Sequence, residues 1–230
     1  MYVRIDIHGM QCREYKIYNA IPVMVCLANL LGEPACLTAK TISESSLSHQ
    51  PAPELHVRIY SFAGMPPSLL GEAEFEAARL LHSVKIELKW VDCTSRALPA
   101  SCLSPRLPTD LIVRFVRKAL PQMSTAVLGA TASSGNSDGA AFIFYDRIAA
   151  LQTHARFLPY MLGRVMAHEL AHLLLPQQGH SDFGLMRGEW RANDMDYSSA
   201  ACLGLPRNSV EFMEKEALRR VSDAHGRVEK

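Results

Sequence analysis

His168-Glu169-Leu170-Ala171-His172, with Gly179-His180 and Gly184-Leu185-Met186 close behind it, is the stretch on which the reading of this chain turns. Two histidines four residues apart on a helix stand about 40° apart around its axis, so both imidazoles reach toward one point. The carboxylate of Glu169 lies on the adjoining flank, within reach of a water held at that point. This is the H-E-x-x-H arrangement: two imidazole ligands and a general base, still needing a third ligand and a fourth position open to water. Residues 157–175 read as a helix, apolar around most of its circumference through Leu158, Met161, Leu162, Val165, Met166, Leu170, Leu173 and Leu174. Its polar residues Arg164, His168, Glu169 and His172 fall mainly on one stripe led by Tyr160. A mostly buried helix carries such a stripe only where its polar groups are satisfied. The plainer alternatives are a solvent-facing stripe or core histidines bonded to backbone. Pro176 ends the helix, and Gln177-Gln178-Gly179 supplies a turn that swings His180 back toward the pair.

Imidazole ligands in a site of three or four groups suit zinc best. Zinc acidifies a bound water and polarises a carbonyl, which leaves Glu169 to take the water's proton and hand it to a leaving amine. Glu169 is therefore assigned as base rather than ligand. His180 is the expected third ligand, with Asp182 and Glu189 as rivals. Tyr145, His154, Arg187 and Tyr197 are candidate donors to an oxyanion, and nothing in the sequence chooses among them.

Outward from this stretch, Leu55, Val57 and Ile59 alternate with His56, Arg58 and Tyr60, the pattern of a strand with one buried face. Pro66-Pro67-Ser68 opens a helix running to about residue 83, with Leu69, Leu70, Ala73, Phe75, Ala77, Leu80 and Leu81 turned inward. Val84, Ile86, Leu88 and Trp90 predict a second strand, and residues 110–116 a third, with a helix to Leu120 as the alternative. Residues 129–139, ending in Ser133-Ser134-Gly135-Asn136-Ser137-Asp138-Gly139, lack the lysine and spacing of a phosphate loop and read as a mobile connection. Residues 140–145 predict the next strand. Asn208 and Glu211 form a capping pair for a last helix with Val210, Met213, Ala217, Leu218 and Val221 inward. The order of elements gives an α+β domain, helices packed on a mixed twisted sheet.

With 230 residues and 48% hydrophobic content the chain can bury one good core, which argues for one catalytic domain. A net charge of +1, with acids and bases interspersed, offers no basic stripe for nucleic acid. Residues 21–31 form an apolar run of signal-peptide length, preceded by Arg13 and Lys16 and followed by small residues near Ala35 and Ala39. Residues 1–39 are accordingly expected to be a leader, 40–54 a linker, and 55–230 the domain. Asp6 and Glu14 run against a leader, objections that a start at Met10 would ease, and a folded N-terminal helix or strand is the alternative. The run is too short for a membrane span. A leader implies a secreted or periplasmic protein, with the cytoplasm as the other possibility. Cys93 and Cys102 flank a short loop that an oxidising compartment would close as a disulfide.

The chain also resembles the metzincin zinc peptidases, and more closely a group of small bacterial metallopeptidase-like proteins, from about residue 55 to the last helix. Leu55-His56-Val57-Arg58-Ile59-Tyr60, Trp90-Val91-Asp92-Cys93, Ala141-Phe142-Ile143-Phe144-Tyr145-Asp146-Arg147 and residues 168–190 carry the resemblance, only the last being specific. It implies a zincin-like single domain with an active-site helix, a second long helix and a C-terminal helix. It also implies zinc on His168, His172 and His180, Met186 in a tight turn beneath the metal, and a peptide or protein substrate. That substrate would pair as an added strand with the edge strand at residues 140–145. In the metzincin pattern, H-E-x-x-H-x-x-G-x-x-H, the glycine and last histidine stand where this chain has Leu175 and Gln178. Its histidine comes two residues later, after Gly179, and Gly188 occupies the place of a tyrosine that some metzincins carry. The expected function is thus a zinc-dependent metallopeptidase. The alternatives are a metallohydrolase of a non-peptide substrate and a non-catalytic zinc-binding module. The sequence carries no signal for oligomeric state.

Overall fold

Leu55, Val57 and Ile59 are wholly buried, and the strand they define lies in the interior of the main sheet. The computed structural model describes residues 4–6, 51–95, 97–133, 139–151, 155–175, 179–191 and 203–228. Strand β1 (Arg4–Asp6) pairs in parallel with the distant β7 (Glu189–Arg191) as a separate two-stranded ribbon. Strand β2 (Glu54–Ser61) lies parallel to both β3 (Glu87–Asp92) and β4 (Asp110–Val116). Beyond β4, and antiparallel to each other, come β5 (Gly129–Ser133) and β6 (Gly139–Phe144), giving the order β3-β2-β4-β6-β5. β6 runs parallel to β4, so β5 is the one antiparallel strand of a mixed sheet and forms its edge.

Parallel neighbours need crossovers, and the long one between β2 and β3 is α1 (Pro67–His82), opened by the proline that a first helical turn tolerates. Helix α4 (Leu158–Leu174) packs beside α1 on the same face of the sheet, and their apolar residues share one core with Leu55, Val57, Ile59, Leu111, Val113, Phe115, Ala141 and Ile143. Where the two helices meet, buried Glu76 accepts from Arg164 Nε at 3.3 Å and from Arg79 Nε at 2.8 Å. Arg164 is thus a structural member of the polar stripe. Two short helices, α2 (Ala100–Leu103) and α3 (Tyr145–Leu151), lie in the connections. The last helix, α5 (Arg207–Val228), buries Met213 and Ala217, and its Arg220 donates to the carbonyls of Leu173 at 3.0 Å and Pro108 at 3.2 Å. The first of these acceptors is one of the unpaired carbonyls at the end of α4, where a cation is favoured.

Several expectations need correcting. Residues 129–133 are not part of a mobile connection but strand β5, because they pair with β6 from Gly129↔Ile143 to Ser133↔Gly139. β6 is consequently an interior strand, and the edge expected at residues 140–145 belongs to β5. Within β6, Ile143 faces the helices while Phe142 and Phe144 face the other side, and Tyr145 opens α3. The second strand starts at Glu87, because Lys85 has φ 60° and breaks the extended run, although Val84 and Ile86 are still buried. Phe75 is 71% exposed instead of inward. Asn208 lies inside α5, which begins at Arg207, so it is not a cap. Cys93 and Cys102 form the disulfide. The expected leader and linker lie outside the described residues except for Arg4–Asp6 and residues 51–54. No helix among the described residues is long and apolar enough to cross a membrane.

On the sheet face away from α4, Arg58 is buried and ties the sheet to the connection before β4. It donates to the carbonyls of Ser104 at 3.0 Å and Pro105 at 3.2 Å and pairs with buried Asp110. Removing one member of such a pair leaves the other charge buried without its counterion. Asp110→Ala is therefore expected to lower unfolding free energy by about 3–5 kcal/mol in a denaturant titration, whereas Arg207→Ala, an exposed pair with Glu211 on α5, changes it by less than about 1 kcal/mol.

Candidate metal centre

Helix α4 delivers two of the three imidazoles from deep inside the core. His168 is fully buried and His172 nearly so, because the helix is flanked by α1 and the sheet and covered by the chain after it. That chain folds into a tight loop. Ser181 N–H donates to the Met186 carbonyl at 2.8 Å, Arg187 N–H to the Gly184 carbonyl at 3.2 Å, and the side chain of Ser181 to the Phe183 carbonyl at 2.6 Å. Leu185 and Met186 are buried beneath it, next to Trp190, whose ring meets His168 edge-on at a centroid distance of 5.7 Å. Burial of these residues turns the Leu185 carbonyl toward His168, whose Nδ1–H donates to it at 2.6 Å. That bond fixes the tautomer and leaves Nε2 of His168 bare, as in a metal-binding histidine whose other ring nitrogen donates to a carbonyl.

His172 Nε2 lies 3.0 Å from His168 Nε2. Taken alone, that spacing suits either an N–H···N hydrogen bond or two lone pairs directed at one cation. The third ring favours the second. Ring centroids of His180 lie 5.3 Å from His168 and 5.0 Å from His172, and the three residues each offer a nitrogen within 4.8 Å of the others'. His180 reaches this position because residue 188 has no side chain: a Cβ there would stand 2.7 Å from His180 Nδ1 and 2.9 Å from its Cγ. Asp182 and Glu189, the rival ligands, are exposed and do not join the group among the described residues.

The electrostatics suit a cation. Burial lowers His168 to about 3 and His172 to about 2, the latter helped by its histidine neighbours, and burial also lowers His180. All three are thus neutral at ordinary pH, the form that donates to a metal. Three neutral nitrogens without a thiolate form a donor set that fits zinc. His172 Nδ1 is buried with no hydrogen-bond partner among the described residues.

Glu169 is fully buried one residue from the first histidine, on the side facing β5. Thr131 of β5 donates its hydroxyl to Glu169 Oε2 at 2.6 Å and contacts the Glu169 carbonyl at 3.1 Å. Oε1 has no partner among the described residues. Burial raises the carboxyl to about 8, the Thr131 bond working the other way. Gly129 makes room for it, since a Cβ there would lie 2.7 Å from Oε1 and 2.9 Å from Cγ.

Of the oxyanion candidates, Arg187 donates to the Asp182 carbonyl at 3.2 Å within the loop, Tyr145 opens α3, and His154 and Tyr197 lie outside the described residues. The parts played by Thr131, Gly129, Gly188 and the Leu185 carbonyl have no counterpart in the sequence reading. Gly-Ala-Thr-Ala-Ser has too little apolar alternation to announce a strand, and a carbonyl acceptor has no sequence signature.

No family model and no curated protein matches the sequence. Among solved structures, the chain is similar to a crystal structure of archaemetzincin from Methanopyrus kandleri, with 15% identity and a TM-score of 0.47, over 74% of this chain and 99% of that one.

The two glycines separate ligand placement from carboxylate placement. Gly188→Ala is expected to push His180 out of the cluster and weaken zinc binding by about 10–100-fold in a competitive chelator titration. Gly129→Ala is expected to displace Glu169 while zinc affinity stays within about threefold of the unchanged protein, the ligand set being untouched.

Proposed function

We propose that this protein is a zinc-dependent hydrolase of peptide bonds, with His168, His172 and His180 as the metal ligands and Glu169 as the general base. The observation carrying this reading is the pairing of three convergent neutral imidazoles with a buried carboxylate that has one oxygen held and one oxygen free. A site that only held a loop in shape would need the imidazoles but not the carboxylate. Burying an acid there without a full set of partners costs stability, a cost usually tolerated where chemistry requires it.

Zinc in this cluster would supply a Lewis acid that acidifies water and polarises the substrate carbonyl. The chain's own groups do the rest. His168 is oriented by the Leu185 carbonyl, His172 by its place one turn later on α4, and His180 by the close approach of Gly188. Thr131 keeps Oε2 of Glu169 occupied, so proton transfer falls to Oε1. Burial favours the acid form of Glu169, and a cation bound beside it would offset that preference, leaving a carboxylate able to take a proton from water and release it to the leaving amine. His180 is exposed while the other two rings are buried, which supports an approach for substrate from the His180 side. The outer edge of β5 is the strand edge nearest Glu169 in the chain's bonding pattern, and an extended peptide is proposed to pair with it. The Cys93–Cys102 disulfide supports an oxidising compartment and hence export.

Glu169→Gln is expected to retain one zinc per chain by metal analysis while peptide hydrolysis falls by roughly three orders of magnitude. Hydrolysis persisting in that variant would refute the base assignment. His180→Ala is expected to lower zinc content, and full stoichiometry in it would move the third ligand to Asp182 or Glu189.

A further inference from the structure

On the face of the sheet turned away from α4, a cavity of about 470 Å³ opens beside β5. Its floor is Ala130 and Ala132 of β5 with Phe142 and Phe144 of β6, and the connection before β5 walls it with Leu120 and Met123. The pairing of β5 with β6 sets which residues share this face. Ala130 stands opposite Phe142, whereas Thr131, which also borders the cavity, stands opposite Ala141 and sends its hydroxyl the other way to Glu169. One short strand therefore presents the catalytic carboxylate's partner on one face and the floor of an apolar cavity on the other.

We infer that this cavity is the subsite for a large apolar side chain (Leu, Met or Phe) of a peptide paired with the outer edge of β5. The inference rests on the peptide-hydrolase reading and adds to it a specificity determinant. An added strand lies about 4.8 Å outside β5, and its side chains alternate between the two faces of the sheet. A residue opposite Ala130 or Ala132 points to the cavity face, with its Cβ about 5 Å from the alanine methyl. Because both neighbours on β5 are alanines, nothing larger than a methyl group stands between that side chain and the Phe142 ring on the next strand. Bulkier residues at 130 or 132 would fill the same space. The residue next along the peptide points to the Thr131 face, the side of Glu169. The preference for apolar bulk is thus confined to peptide positions of one parity, flanking positions whose side chains turn toward the metal centre. Lys118 is the one charged residue of the lining and disfavours Lys or Arg there.

The test uses the zinc-loaded protein and a blocked alanine-based octapeptide in which a single leucine is moved position by position. The leucine effect is read as a ratio to the all-alanine peptide, both as kcat/KM and, in the Glu169→Gln variant, as Kd. Leucine is expected to raise both ratios by about tenfold or more at positions of one parity. Ala132→Leu, a substitution at an exposed residue, is expected to bring the ratios at those positions back toward one. Met123→Ala, which deepens the wall, is expected to shift the preference from Leu toward Phe. A general folding defect would lower both peptides alike and leave the ratio standing, so an unchanged ratio in Ala132→Leu overturns the subsite. A Kd ratio near one at every position in Glu169→Gln overturns it as well. Absence of turnover in the unsubstituted protein, with the parity-dependent Kd ratio present, sinks the hydrolase reading and upholds the subsite.

Discussion

The hydrogen bond from His168 Nδ1 to the Leu185 carbonyl is the contact on which the centre depends. Without it, His168 would be a buried imidazole with an undecided tautomer, and its Nε2 would have no fixed role. With it, the loop after α4 is bound to the helix, and the lone pair of His168 is committed toward His172 and His180. The bond exists because Leu185 and Met186 are buried. Their side chains hold the backbone down, and the Leu185 carbonyl then faces His168 Nδ1. Hydrophobic packing and ligand orientation are thus one event, and neither helix nor loop builds the site alone.

The same economy governs the other polar groups that α4 carries into the core. Arg164 meets Glu76 of α1, Glu169 meets Thr131 of β5, and the Leu173 carbonyl meets Arg220 of α5. Each partner comes from a different element, so the polar stripe works as a set of registration points that position α4 against everything around it. An apolar helix of the same length could slide or rotate in its groove at little cost. A helix whose charged groups must each find one partner cannot. The rigidity that the proposed metal ligands and base require is obtained in this way from contacts outside the histidine cluster.

What the sequence made legible follows from the range of the interactions involved. The spacing of His168, Glu169 and His172 is a property of one helix, and it was readable because helical geometry is local. Strands β2 and β4 were readable from alternation and from β-branched residues, since their buried faces must be apolar. β5 was hidden because Gly129, Ala130 and Ala132 are small for reasons that lie elsewhere: Gly129 yields space to Glu169, and the alanines border a cavity. Its composition answers to neighbours some forty residues away in sequence, which no window around it contains. Misreading β5 as a connection also moved the edge of the sheet onto β6. Phe75 failed differently. It sits at a helical position that periodicity assigns to the core, yet α4 approaches α1 along Ala73, Glu76, Ala77 and Leu80, leaving Phe75 on the open side.

β5 joins these threads. Among the described residues its outer edge pairs with no other strand, one face supports the carboxylate, and the other borders the cavity. In an antiparallel edge strand of five residues, alternation alone separates these two duties, so a shift of register by one residue would exchange them. Thr131 would then face the cavity, and an alanine would stand before Glu169 with no hydroxyl to offer. The register is pinned by Gly129, where a Cβ would collide with the Glu169 carboxylate, and by Phe144 and Phe142, whose rings must remain on the face away from α4. The weakest-looking segment of the sequence is therefore constrained at almost every position, and its small residues are as specific to the site as the histidines are.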